Sequence, residues 1–163
     1  MPGPDTTPFA TVDIDGVLAD VRHRLEHVQT SPKDWDAFFA AAPEDPVLPE
    51  GLAVARRLAL EHTIVYLSGR PERCRADTLA WLASHDLPEG TLLLRPRGDF
   101  RPARIVKVET LDRLSERGPV AVLVDDDGLV CAAARKAGYV VLHADWMSDQ
   151  PALLEAQEID GAT

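Results

Sequence analysis

Asp13 and Asp15 stand one residue apart at the end of the run Phe9-Ala10-Thr11-Val12-Asp13-Ile14-Asp15-Gly16. Side chains alternate along a strand, so the two carboxylates share one side while the backbone stays extended, and Gly16 then lets the chain turn sharply away. Like charges placed together repel, and a bound cation or a phosphoryl-transfer reaction is the first explanation for them. An Asp-Gly turn closing a hairpin is the plain alternative. Three further places carry related chemistry. Ser68 offers a hydroxyl backed by the amides of Gly69 and Arg70, and Lys107 can neutralise charge gathering on a transferring group. Asp125-Asp126-Asp127-Gly128 supplies more carboxylates. Several acids at one point are best reconciled by a hard divalent cation, most simply Mg²⁺, with Asp13, Asp15, Asp125 and Asp126 as candidate ligands. A carboxylate oriented by that cation can attack phosphorus, and a neighbouring carboxyl can protonate the leaving oxygen and later deprotonate water.

The elements that must position these groups follow from the apolar pattern. Phe9–Ile14, Thr63–Leu67, Thr91–Leu94, Val120–Val124 and Tyr139–Leu142 read as strands. Between them run helical stripes: Leu52, Ala55, Leu58 and Ala59; then Cys74, Thr78, Trp81 and Leu82, on a helix opened by Pro71 and Glu72; then Ile105, Val108, Leu111 and Leu114. An Ala-rich helix with Gly138 as its stop precedes the last strand. Continuous apolar strands alternating with helices predict an α/β fold, a doubly wound parallel sheet of about five strands covered on both faces. Right-handed crossovers put every strand's carboxyl end on one edge, where ligands bind at the switch point. The Asp, Ser and Asp-Asp turns thereby become one site.

Residues 20–49 differ from this rhythm. Arg22, His23, Arg24 and His27 lead to Ser31-Pro32-Lys33-Asp34, which reads as a helix start, and then to the stripe Trp35, Phe38 and Phe39. We expect a small helical flap or lid whose aromatic residues pack against the body in preference to stacking on a substrate. The chain reads as one domain over 1–163, with a tail helix in 146–163 built on Leu153 and Leu154 and weak order at the two ends.

The net charge is −10, which argues against a broad basic face for duplex nucleic acid but permits a local basic pocket; a single-stranded end or a small phosphorylated molecule fits better. Cys74 and Cys131 form no CxxC pair, no long apolar run is present, and Met1-Pro2-Gly3-Pro4-Asp5 lacks the regions of a leader peptide. The expectation is a cytoplasmic protein without a membrane or an obligate protein partner. His23 and His27 are one helical turn apart but lack further ligands, and His143 and Asp145 read as capping or packing residues.

Asp13-Ile14-Asp15-Gly16-Val17-Leu18, Ser68, Lys107 and Asp125-Asp126, in that order across residues 9 to 145, resemble the four motifs of the haloacid dehalogenase-like phosphatase superfamily. The resemblance implies a Mg²⁺-dependent phosphohydrolase with Asp13 as nucleophile and Asp15 as general acid/base. It also implies Ser68 and Lys107 on the phosphate, and Asp125 with Asp126 on the metal. Ser68-Gly69-Arg70, Cys74–Thr78, Trp81-Leu82, Leu94–Asp99 and Ile105–Lys107 are similar, more narrowly, to the 3′-phosphatase domain of phage and bacterial polynucleotide kinase-phosphatases. That likeness implies phosphate-gripping arginines, here Arg70 and Arg24, with Arg22 the alternative in the flap. The chain departs from it at Arg101-Pro102-Ala103, where an Arg-Lys-Asp is usual, and at Asp127, where Arg is usual; with no kinase motif in these residues, the expectation is a stand-alone phosphatase. The expected activity is removal of a 3′-phosphate from nucleic-acid ends or nucleotides. A small-metabolite phosphatase with the same mechanism is the alternative, and a non-catalytic phosphate-binding module a third.

Overall fold

A computed structural model describes residues 6–163; Met1 to Asp5, read above for a leader, lie outside them. The predicted strands form one five-stranded, all-parallel sheet in the order β3-β2-β1-β4-β5. In chain order the elements are β1 (Phe9–Val12), α1 (Glu26–Gln29), α2 (Trp35–Ala40), α3 (Pro49–Ala59), β2 (Thr63–Pro71), α4 (Arg75–Ser84), β3 (Gly90–Arg95), α5 (Ala103–Ser115), β4 (Val120–Asp125), α6 (Gly128–Lys136), β5 (Val141–His143) and α7 (Pro151–Glu158). β1 is central, hydrogen-bonded to β2 on one side and β4 on the other, so Ala10 and Val12 are fully buried. The chain leaves β1 toward β2 and leaves β4 toward β5. The switch point therefore falls between the ends of β1 and β4, where Asp13 and Asp125 stand.

The period of two along the strands divides the core. Ile64 and Tyr66 of β2 and Val124 of β4 join Ala55, Trp81 and Leu82 on one face. Leu67 and Leu123 point to the other, against Ala103, Leu111, Val130 and Ala134. Each such Ile, Leu or Val side chain, fully buried, contributes about 1.5–3 kcal/mol. A third cluster joins the flap to the tail: Val21, Leu25, Val28, Phe38 and Phe39 pack on Cys74, Met147 and Leu153. The flap's aromatic stripe is thus largely packing, with Trp35 half-buried at its rim.

Some elements differ from expectation for local reasons. β2 continues through Ser68, Gly69 and Arg70 to Pro71, although its register with β3 breaks between Leu67 and Pro71, and a short 3-10 turn at Glu72–Cys74 delays α4 to Arg75. α2 starts after Asp34, whose side chain accepts the Ala37 amide, and not at Pro32. On α5 the buried stripe is Ala103, Val106, Lys107, Leu111 and Leu114, while Ile105 is exposed. The last strand is an edge strand one to two residues later than its apolar run, with Val140 and Leu142 exposed. Leu153 is buried in α7 but Leu154 is exposed.

Candidate active site

The Asp13 carboxylate stands just past β1, its amide donating to Val124 O at 2.9 Å, and its Oδ1 accepts the Ile14 amide at 2.8 Å. Gly16 then takes φ +81, and a Cβ there would lie 2.2 Å from Asp126 Oδ2. Only glycine lets the two loops approach this closely. Lys107 reaches in from α5, with Nζ 2.6 Å from Asp125 Oδ2 and 3.2 Å from Asp13 Oδ2. Asp125 Oδ1 accepts the Asp127 amide, and Asp127 Oδ1 caps α6 by accepting the Leu129 amide at 2.8 Å and the Val130 amide at 3.4 Å.

Asp13, Asp125 and Asp126 each offer an oxygen within 4.8 Å of the others. Asp13 Oδ2 and Asp126 Oδ1 are buried and accept no hydrogen bond, Asp13 Oδ2 having only its 3.2 Å ion pair with Lys107. Under-satisfied carboxylate oxygens converging on one point suit a hard cation with oxygen ligands, so these three residues fit Mg²⁺. Asp15, expected among the ligands, has its carboxylate elsewhere. Its Oδ1 accepts from Arg70 Nη2 at 2.6 Å, Arg70 Nε at 3.0 Å and Arg24 Nη2 at 2.9 Å, and its Oδ2 accepts from Thr163 Oγ1 at 3.1 Å. The reason is electrostatic: two guanidinium groups draw Asp15 away from the other acids.

Arg24 and Arg70 are almost completely buried. Besides Asp15 they share Asp45, which sequence reasoning missed: Arg24 Nε and Nη2 donate to its two oxygens at 2.8 and 2.9 Å, and Arg70 Nη2 at 3.1 Å. His23 Nε2 lies 2.6 Å from the same carboxylate, and Trp81 Nε1 donates to the Asp45 carbonyl at 2.8 Å. Asp45 sits among Pro43, Pro46 and Pro49 at the end of the flap, where nothing in the local pattern marked it. Arg22 is not brought to the site; it is exposed and paired with Asp20. Ser68 is buried and its Oγ accepts the Arg70 amide at 3.2 Å. Gly69 lies against Thr163: a Cβ on it would be 2.1 Å from the Thr163 carbonyl carbon.

Burial sets the acid–base balance, pushing the Asp13 carboxyl up to about 7, with Asp125 and Asp15 adding to the rise and Lys107 opposing it. Asp125 and Asp126 are raised for the same reason, and Asp127 is pushed to about 6 by burial and by Glu158. For Asp15 burial acts upward too, but Arg70 and Arg24 outweigh it and hold the carboxyl below the usual range. Burial alone would lower the Lys107 ammonium; Asp125 and Asp13 overcome it and raise it.

These directions predict a pH dependence. Between about pH 4 and 7 the unfolded chain has already lost the protons that folded Asp13 and Asp127 keep, so the metal-free protein loses stability as pH rises through that window. For Asp13 the change is up to roughly 4 kcal/mol. The Asp15 contribution is complete above its unfolded value and constant across the window. Thermal melts in EDTA should fall from pH 5 to 7.5, and Mg²⁺ should raise the melting temperature more at pH 7.5 than at pH 5. A metal-free melting temperature that climbs over the same range would contradict the assignment.

A five-stranded parallel sheet with carboxylates, a serine and a lysine gathered at its switch point defines the class: a haloacid dehalogenase-like phosphatase fold. More narrowly, residues 8–146 match the family described as the polynucleotide kinase PNKP phosphatase domain, and the chain belongs to that family. Among solved structures it is similar to a chain of the Pnkp1/Rnl/Hen1 complex, at 22% identity and a TM-score of 0.72. That alignment covers 86% of this chain and 47% of the other, so this chain spans about half of that relative. It is also similar to a haloacid dehalogenase-like hydrolase from Burkholderia xenovorans, at 20% identity, TM-score 0.59 and coverage of 85% and 81%. A further similar structure is a family enzyme from Bacteroides thetaiotaomicron in complex with magnesium and inorganic phosphate, at 14% identity, TM-score 0.53 and coverage of 90% and 98%. Comparison with curated proteins finds no match. Among the described residues no helix is long and apolar enough to cross a membrane.

Proposed function

We propose that this chain is a Mg²⁺-dependent phosphomonoesterase that removes a 3′-phosphate from single-stranded nucleic-acid ends. The observation that carries the chemistry is the meeting of Asp13, Lys107, Asp125 and Asp126 at the switch point, with Asp15 held separately by two arginines. Asp13 is the nucleophile. Its attack on phosphorus expels the alcohol oxygen and leaves an aspartyl-phosphate, so that one hard displacement becomes two easier ones. For Asp15 to shuttle the proton it must first take one up as substrate binds, against the pull of Arg24 and Arg70; it then gives that proton to the leaving oxygen and regains one from the attacking water. Ser68, the Gly69 and Arg70 amides, and Lys107 hold the transferring oxygens. Asp13, Asp125 and Asp126 would hold Mg²⁺, which when bound would supply positive charge to offset that of the phosphate and the carboxylates. Arg24 and Arg70, expected on the substrate, act through Asp15: with Asp45 they fix its position and set its acidity.

The substrate class rests on the family match and on a groove beside the site. That groove has a volume of about 1100 Å³, above the usual range for small-ligand pockets, and its lining includes Trp35, Phe39, Phe100, Arg73, Arg95 and Arg97. Phe100 is 69% exposed, a free platform for a base. Phosphate release from oligonucleotides ending in 3′-phosphate, compared with a panel of phosphorylated metabolites, tests the reading. We expect kcat/KM on the oligonucleotide to be at least about tenfold higher. A metabolite that outperforms every oligonucleotide would replace the substrate and keep the mechanism. We further propose one phosphatase domain over 1–163, with 20–49 as its flap and 146–163 as its tail, acting in the cytoplasm.

A further inference from the structure

Asp13, Asp15, Ser68 and Lys107 are each at most 4% exposed, and the groove's lining includes none of them. From the groove side something must therefore move before a phosphate reaches Asp13, whereas a second cavity, of about 450 Å³, is lined by Asp126 itself. The segment between the groove and the acids is Gly161-Ala162-Thr163: Gly161 and Ala162 line the groove, while Thr163 is 3% exposed and bonds Asp15. Its backbone oxygen accepts from Arg95 Nη2 at 3.1 Å, and Arg95 Nε donates to the Gly69 carbonyl at 3.2 Å. Thr163 thus presses on the Ser68–Arg70 loop, whose amides would receive a phosphate.

The attachment is light. Among the described residues three bonds hold the segment: Thr163 to Asp15, Arg95 to Thr163, and the Ala162 amide to Ala156 O at 2.9 Å. Gly161 is the bend, at φ +58, where a Cβ would lie 1.9 Å from the Phe100 carbonyl oxygen. Just before it, Asp160 Oδ2 accepts from Lys33 of the flap at 2.5 Å.

We infer that Gly161–Thr163 is a displaceable plug that occupies the phosphate-binding loop and competes with substrate. It withdraws when a phosphorylated chain end enters from the groove, freeing Arg95 and the Gly69 surface for the phosphate. A nucleic-acid strand that engages Lys33 would loosen the Asp160 anchor at the same time. This inference rests on reading the Asp13 loop as a phosphate site.

Two variants remove the plug by independent routes: a chain ending at Asp160, and Gly161→Val in the 163-residue chain, in which the new side chain collides with Phe100. Calorimetric titration with inorganic phosphate in Mg²⁺ should give a Kd about tenfold lower for both than for the parent, since binding no longer depends on the minor unplugged population. With para-nitrophenyl phosphate, KM should fall by a similar factor and kcat stay within about twofold. Melting curves and circular dichroism check that each variant is folded. A phosphate Kd unchanged or weaker in both folded variants overturns the plug. If phosphate binds more tightly but neither parent nor variants release para-nitrophenol, the plug stands and the phosphatase reading falls. If all hydrolyse with one KM, the phosphatase reading stands and the plug falls.

Discussion

Asp13→Asn is expected to reduce phosphate release by about ten-thousand-fold or more while raising the melting temperature of the metal-free protein at pH 7.5. The two effects have one cause. Asp13 Oδ2 is buried with only a 3.2 Å ion pair to Lys107, among carboxylates that approach within 4.8 Å, and Lys107 is closer to Asp125, at 2.6 Å. An amide keeps the shape and accepts the Ile14 amide as before. It removes a nucleophile that the mechanism cannot replace, along with one negative charge that the fold tolerates at a cost. The gain in stability should shrink at pH 5, where the parent's Asp13 already carries a proton, and so should separate charge removal from altered packing. Steady-state phosphate release and paired melts in EDTA at the two pH values check both halves. Activity within about tenfold of the parent would remove Asp13 from the nucleophile's role. A lower melting temperature at pH 7.5 would mean that the carboxylates are not in conflict.

The fold was legible because its information is local and periodic. Apolar runs of four to six residues alternating with helical stripes are enough to specify a parallel sheet, and the topology of such a sheet specifies which turns meet. Asp13, Ser68, Lys107 and Asp125 could be gathered from their places after strands or at a helix start, without any knowledge of side-chain direction. What failed was what period and position do not encode. Asp15 was grouped with the metal's acids because it alternates with Asp13 in an extended chain; β1 ends at Val12 and the chain turns about Ile14, and Arg24 and Arg70 then decide where its carboxylate goes. Ile105 fits a helical stripe as well as Val106 does, and only the approach of Lys107 to Asp125 selects the face. The tail's path to Asp15 joins residues 148 positions apart and has no pattern along the chain. Nor did any motif point to Asp45, whose importance is that two buried cations need a second anion.

Asp45→Ala should accordingly be the most destabilising substitution among the residues around Asp15, costing about 3–5 kcal/mol. Asp15 and Asp45 together balance Arg24 and Arg70, all four nearly inaccessible to water. Removing Asp45 strands a guanidinium charge in the interior, and neither arginine can shed it, since arginine does not deprotonate in proteins. For a chain of this size the loss corresponds to a fall of about 10 °C or more in melting temperature. The matched control is Asp20→Ala, which deletes the carboxylate of the Arg22 pair. That arginine is 54% exposed, so water replaces its partner and the loss should be within about 1 kcal/mol. Urea unfolding of both variants at pH 7 compares the same charge deletion in two environments. Near-equal losses would mean that solvent reaches the Arg24–Arg70 pair. The same deletion frees Arg24 and Arg70 to crowd Asp15, so residual kcat in Asp45→Ala should fall with KM little changed, as expected when a residue acts on the proton shuttle and not on the substrate.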